Sequence, residues 1–272
     1  HPVRSPSGTV LTNHLNVDGH PHHSGIWSAW TNTRFQGRTP DFWNVHSNTG
    51  RVDHNDSLDL AWQGPIHAGF RSKHHFVDLS SSAPVIALNE EWDVRVYATT
   101  SDGAAGTTGS AESPGSTADY FMFDLKVSQS ANTAQPLELP EYRYGGVGFR
   151  GHVDWDDPER TVFLTSEGDG REGHGTRVRW THIGGYSEGE RAGIAILSHP
   201  ENFRHPQTVR IHPTEPFFNY APVQLGDMSI EPGSPYIARY RYITYDGEPD
   251  PEWLDQMWLD YAYPPAVVVK RQ

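Results

Sequence analysis

The chain has 272 residues, 34 acidic against 21 basic side chains, a net charge of −13, no cysteine and a mean hydropathy of −0.65. That acidity excludes a phosphate-tracking nucleic-acid binder, which needs a concentrated basic face. The missing cysteines exclude disulfides, thiolate nucleophiles, zinc–thiolate sites and iron–sulfur clusters. No run reaches the roughly 18–20 apolar residues of a membrane span, while 9 Trp, 12 Tyr and 11 Phe supply the apolar bodies of a core.

The chain begins at His1-Pro2 without a visible signal peptide, which suggests a mature or trimmed start. A secreted or periplasmic location is favoured over a cytoplasmic one. Only Lys73, Lys126 and Lys270 among the basic residues are Lys, an Arg skew that fits a GC-rich genome. Histidine is the more informative excess: ten of the 16 fall between His1 and His75. Within Asp18-Gly19-His20-Pro21-His22-His23-Ser24-Gly25-Ile26-Trp27, Gly and Pro impose a turn, and a turn can aim several imidazoles at one point. Imidazole suits proton transfer and also Zn, Cu, Fe or Ni. A surface loop that happens to be rich in His is the plain alternative.

Further along, short β-branched and aromatic runs alternate with Gly, Pro, Asn and Asp clusters, the pattern of an antiparallel β-sandwich or barrel. The runs are 85–88, 91–97, 120–127, 161–164, 177–180, 193–197, 209–212 and 236–245. Glu90-Glu91-Trp92 holds paired carboxylates, and alternation points one inward and one outward. Residues 99–118 form a Gly/Ser/Thr/Ala stretch, read as a mobile loop inside one domain covering 1–272 rather than as a linker. Residues 140–151 (PEYRYGGVGFRG) carry Arg143 and Arg150, candidate anion clamps or structural ion-pair partners, but no nucleotide-loop spacing.

Two more segments follow strand-like runs, where sandwich loops gather: 165–168 (TSEG) with Glu167, and 199–206 (HPENFRHP) with His199, Asn202 and His205. In 236–245, Arg239 and Arg241 share one face, as on a cleft wall, an edge or an open sheet face. Asp250-Pro251-Glu252 then supplies an N-cap, a first-turn Pro and an acid. Trp253, Leu254, Met257, Trp258 and Tyr261 follow at helical spacing, so a structural helix is expected over about 251–262.

The motifs HPVRSPSG, DGHPHHSGIW, PDFW, YGGVGFRG, TSEG, GIAILSHPENFRHP and RYRYITYDG, in this order from His1 to about Gly247, resemble those of the PmoA-like family. That family is catalogued under a methane-oxygenase label, which is not carried to this chain because nothing here is long and apolar enough to span a bilayer. The resemblance implies a galactose-mutarotase-like supersandwich, a sugar-facing cleft on its concave sheet and a setting among carbohydrate-degrading genes. Some members have Arg where this chain has Ser24, so a cationic role there is not inherited.

The reading that follows is a carbohydrate-active enzyme, of lyase, epimerase or hydrolase type, acting on a sugar or uronic-acid-containing oligosaccharide by general acid–base chemistry. His22 or His23 is one partner, and Glu167 or Glu91 the other. Arg143 or Arg150 holds an anionic oxygen. Trp27, Trp30 and Trp43 stack on pyranose faces, with Tyr144, Asn202 and His205 as further substrate contacts. Two alternatives stand: a non-catalytic carbohydrate-binding protein, and a divalent-metal enzyme drawing ligands from His20, His22, His23 and His199. The leading reading requires no cofactor. Neither nucleic acid nor a membrane span is expected, and exposed strand edges would allow a homodimer.

Overall fold

Alternation along the chain builds two antiparallel sheets that bury one face each against the other. The computed structural model describes residues 2–13, 22–99 and 120–268, apart from the side chains of residues 56, 57, 59, 60 and 169. His20 and the stretch 100–118, expected to be a loop, lie outside the described residues. The strands are β1 (Ile26–Ala29), β2 (Gly50–Trp62), β3 (His67–Asp78), β4 (Val85–Tyr97), β5 (Tyr120–Ala131), β6 (Leu137–Leu139), β7 (Gly146–Arg150) and β8 (Thr161–Thr165). They continue as β9 (Gly168–Asp169), β10 (Arg177–Val178), β11 (Trp180–Ser187), β12 (Glu190–Ser198), β13 (Gln207–Ile211), β14 (Phe217–Tyr220), β15 (Met228–Ile230) and β16 (Tyr236–Asp246), and a single helix, α1 (Pro251–Ala262), follows.

The small sheet runs β1-β7-β14-β13-β10 and the large one β2-β3-β4-β5-β16-β12-β11-β8-β9, with β15-β6 as a separate ribbon. Between the sheets, Leu125, Val127, Ile183, Ile194, Ile196, Tyr240 and Tyr242 meet Val147, Phe149, Val209, Ile211, Phe218 and Tyr220, all buried. The fold is thus an antiparallel β-sandwich with one C-terminal helix, the class that the spacing of strand runs and turn residues leads one to expect.

The helix begins where expected. Asp250 caps it by accepting from the Glu252 and Trp253 amides at 3.0 and 3.1 Å. Leu254, Trp258 and Tyr261 then cover Trp180, Ala195, Leu197, Ile243 and Tyr245 on the outer face of the large sheet. Of the settings expected for Arg239 and Arg241, the sheet edge is ruled out, and both lie half-buried on the outer face of the large sheet. Their strand, β16, is an inner strand, and Arg241 makes a two-pronged pair with Asp124 on β5, at 2.7 and 2.9 Å.

β2 and β3 were not apparent as strands in the sequence. They form one end of the large sheet, and β1 is the edge of the small one. A cavity opens between them, with β1 on one wall and β2 to β4 on the other.

Candidate functional site

The cleft rests on one cross-strand row. Register pairs His54 with His74, His74 with Glu90, Glu90 with Gln129, and Gln129 with Tyr236, so five strands place these residues side by side on one face. His74 Nδ1 lies 2.8 Å from Glu90 Oε2, and Gln129 Nε2 donates to Glu90 Oε1 at 2.8 Å and to Ser28 Oγ at 3.1 Å. Trp30 Nε1 donates to Gln129 Oε1 at 2.7 Å. A carboxylate only accepts, so it fixes the His74 proton on Nδ1 and turns Nε2 into the acceptor, 3.3 Å from Ser72 Oγ. His74 and Glu90 both line the cavity, but Glu90 is 2% exposed, so the imidazole is the more open of the two.

That cavity encloses about 250 Å³, and His22, His23, Trp27, Trp43, His74 and Trp92 are among its walls. The turn into β1 needs Gly25, whose φ of +67° favours glycine. His23 then stacks on Trp27, with centroids 4.7 Å apart and planes 10° apart, and meets Phe217 at 4.6 Å. Trp27 lies flat over β7: a Cβ on Gly148 would sit 2.4 Å from its Cζ2, so only glycine admits the indole there. His22 packs at 4.1 Å from His23 and 6.0 Å from His46. Asp41 aims the next wall by accepting from the Trp43 and Asn44 amides at 2.9 and 2.8 Å.

His23 and Trp43 also wall a second compartment of about 140 Å³, completed by Asn44, Arg143, Tyr144, Arg210, His212 and Phe217. Asn44 Nδ2 donates to the Tyr144 hydroxyl at 3.2 Å, and the Tyr144 ring meets Trp43 at 5.0 Å. An outer basin follows, lined by Arg143, Arg171, Glu172, His174 and Arg210. Burial lowers the pKa of Arg210, and the Arg143 charge lowers it further. Burial does the same to His174, with Arg210 adding to the effect.

Of the residues expected at the site, the structure brings His22, His23, Trp27, Trp43, Arg143 and Tyr144 together along this cleft. The others lie elsewhere, each for a visible reason. Glu91 has the opposite parity to Glu90, so it points to the other face, 3.6 Å from Arg71. Glu167 is exposed at the β8–β9 turn, at the far end of the large sheet, and bonds Ser166 Oγ at 3.1 Å.

Trp30 is 1% exposed and braces Gln129 rather than offering a face. Arg150, 2% exposed, is held between Asp156, at 2.8 Å, and Glu215. Burial lifts the Asp156 carboxyl above its ordinary range, against the pull of Arg150. Asn202 is buried and spends its amide on Ser198 Oγ and the Arg239 backbone. His205 stacks on Trp258 of α1, and burial brings its pKa down to about 4. His199 packs at 5.0 Å from Tyr261 of the same helix, so it does not join His22 and His23. Among the described residues no three His, Asp or Glu side chains come together as metal ligands.

The sequence reading singles out the Glu90–Glu91 pair but assigns the role to Glu91, and it gives no role to His74, Gln129, Trp92 or Arg210. Parity within Glu90-Glu91-Trp92 puts Glu90 and Trp92 on one face, but only the register with β3 and β5 decides which face is inward.

Residues 1–259 match the model of DUF6807, described as a family of unknown function. The chain belongs to that family. A search of curated proteins gives no match. Among solved structures, the chain is similar to a glycoside hydrolase family 97 enzyme of Pseudoalteromonas sp. strain K8 in two forms. One is a variant, with 11% identity, a TM-score of 0.38 and coverage of 91% of this chain and 36% of that one. The other is a second variant in complex with panose, with 12% identity, a TM-score of 0.38 and the same coverage. The chain thus spans about a third of the length of the solved structures it matches. Among the described residues no helix is long and apolar enough to cross a membrane.

Proposed function

We propose that the cleft binds a sugar, and that His74 and His22, on its two walls, move protons on the bound ring. One observation carries this reading: an imidazole backed by a buried carboxylate opens into a cavity walled by indoles. Glu90 is a positioning residue, because both of its oxygens are engaged, by His74 and by Gln129, and its side chain is buried. It fixes the His74 tautomer, so that Nε2 is the atom able to take a proton. His22 is half-buried whereas His23 is 4% exposed and stacked, so His22 is the second proton carrier. Ring opening, epimerisation, β-elimination and hydrolysis each require one group to take a proton and another to give one. Trp27 and Trp92 supply rigid apolar faces for a pyranose. The resemblance to the PmoA-like family, with its carbohydrate-degrading setting, points the same way.

The test is incubation of the protein with neutral and uronate oligosaccharides, with products and anomer exchange followed by NMR. His74→Ala and His22→Ala should each cut turnover by about 10²- to 10⁴-fold while leaving affinity nearly intact. Trp27→Ala and Trp92→Ala should weaken binding. Wild-type turnover in both histidine variants overturns the assignment.

The engagement of both Glu90 oxygens equally favours a second reading, a non-catalytic carbohydrate-binding protein. Under it, sugar binds and depends on the tryptophans, no product forms, and the histidine variants bind as wild type does.

A further inference from the structure

We infer that the second compartment is an anion subsite, in which Arg143 and Arg210 hold the carboxylate or sulfate of an acidic sugar whose ring lies in the neighbouring cavity. This rests on the sugar-cleft reading and names the substrate class it would take. Both guanidinium carbons lie over one ring, that of Tyr144, at 5.3 Å for Arg143 and 5.5 Å for Arg210. Elsewhere in this acidic chain most half-buried arginines have a carboxylate at hand, Arg204 being held instead by the carbonyls of Pro222, Gly226 and Asp227. Arg38 pairs with Asp78, Arg179 with Asp255, Arg191 with Glu248 and Arg241 with Asp124, at 2.5–3.0 Å.

Among the described residues, Arg143, Arg171 and Arg210 have no such partner. Arg210 makes one side-chain hydrogen bond, from Nη1 to the adjacent Ile211 carbonyl at 3.2 Å. Arg171 is spent on the carbonyls of His212, Thr214 and Glu215, and so pins that loop beside the subsite. Glu172 lines only the outer basin. Two like charges gathered in a half-buried hollow repel one another unless an anion sits between them. Burial and Arg143 lower the pKa of Arg210, as an unmet cation requires. The guanidinium fork matches the spacing of carboxylate or sulfate oxygens. Tyr144 links the compartments, since its ring faces the arginines while its edge meets Trp43, which also walls the first cavity.

The experiment is calorimetric titration of the full chain with galacturonate, glucuronate and mannuronate trisaccharides, their methyl esters, and sulfated galactose oligomers. At least one acid should bind tenfold or more tightly than its ester, and the preference should shrink with added NaCl. Arg143→Gln, at an exposed position, and Arg210→Gln should each erase most of that preference, bringing acid affinity down to that of the ester. A sulfated ligand that outbinds every uronate assigns the anion as sulfate. Equal binding of acids and esters overturns the anion subsite and leaves the sugar cleft standing. If wild-type protein binds none of the ligands, both readings fall.

Discussion

His74 and Glu90 occupy directly paired positions on β3 and β4, and their side chains meet at 2.8 Å with the carboxylate on the buried side. The acceptor-only carboxylate requires the His74 proton on Nδ1. Nitrogen-detected NMR of labelled protein should therefore show the Nδ1–H tautomer for His74 near neutral pH. In Glu90→Gln the amide can donate, and the ring should shift toward the Nε2–H form. An unchanged tautomer in that variant would show that Glu90 does not orient the ring.

The strands that carry the core were legible because one face is apolar and the other is not. Ala238, Tyr240 and Tyr242 alternate with Arg239 and Arg241, and the helix announces itself through Asp250-Pro251. β2 and β3 were illegible for the opposite reason. Their residues, GRVDHNDSLDLAW and HAGFRSKHHFVD, look like loop because they lack a clear apolar alternation, and most of their described side chains are exposed or half-buried. The site was half visible. His22, His23 and Trp27 are neighbours in sequence, whereas the row from His74 to Gln129 exists only through strand register. Glu167 and His205 follow strands as expected, but strand order places one at the far end of the large sheet and the other beneath α1.

Arg150 tests whether a buried arginine near the cleft serves the ligand or the scaffold. It is flanked by two carboxylates and lies 5.6 Å from the Phe217 ring. Arg150→Met should destabilise the fold by about 1–3 kcal/mol, less than for a fully buried pair, because Asp156 and Glu215 lose their cation but are partly open to water. Urea unfolding measures that loss. Sugar affinity, measured well below the melting temperature, should stay within twofold of wild type; a larger loss would return Arg150 to the binding surface.

Acid should weaken this protein before its surface carboxylates titrate. His182 is 1% exposed, its Nδ1 lies 2.7 Å from the Tyr245 hydroxyl, and burial, followed by Arg191, lowers its pKa from 6.5 to about 3. Between those values the unfolded chain binds a proton that the folded chain refuses, so stability rises with pH and falls on acidification. The slope from this residue is about 1.4 kcal/mol per pH unit. His205, at about 4, acts in the same direction. Unfolding midpoints at pH 6, 5 and 4 should fall in step, and His182→Gln should flatten the dependence. A variant as acid-sensitive as wild type would remove His182 as the cause.

The last expectation joins packing to the site. A methyl group at residue 148 would sit 2.4 Å from Trp27 Cζ2 and 2.5 Å from Cε2, inside van der Waals contact with a ring already stacked on His23. The strand cannot retreat, because β7 is hydrogen-bonded to β1 on one side and β14 on the other. Gly148→Ala should therefore push the indole off β7, costing about 1–3 kcal/mol of stability and weakening sugar binding together. In a Trp27→Ala background the three atoms nearest the added methyl are gone, and the same substitution should cost far less in both measurements. That difference between backgrounds, read from a double-mutant cycle, isolates the Gly148–Trp27 contact from any general effect of alanine in a strand. Equal costs in the two backgrounds would mean that Gly148 serves the backbone of β7 rather than the seat of the indole.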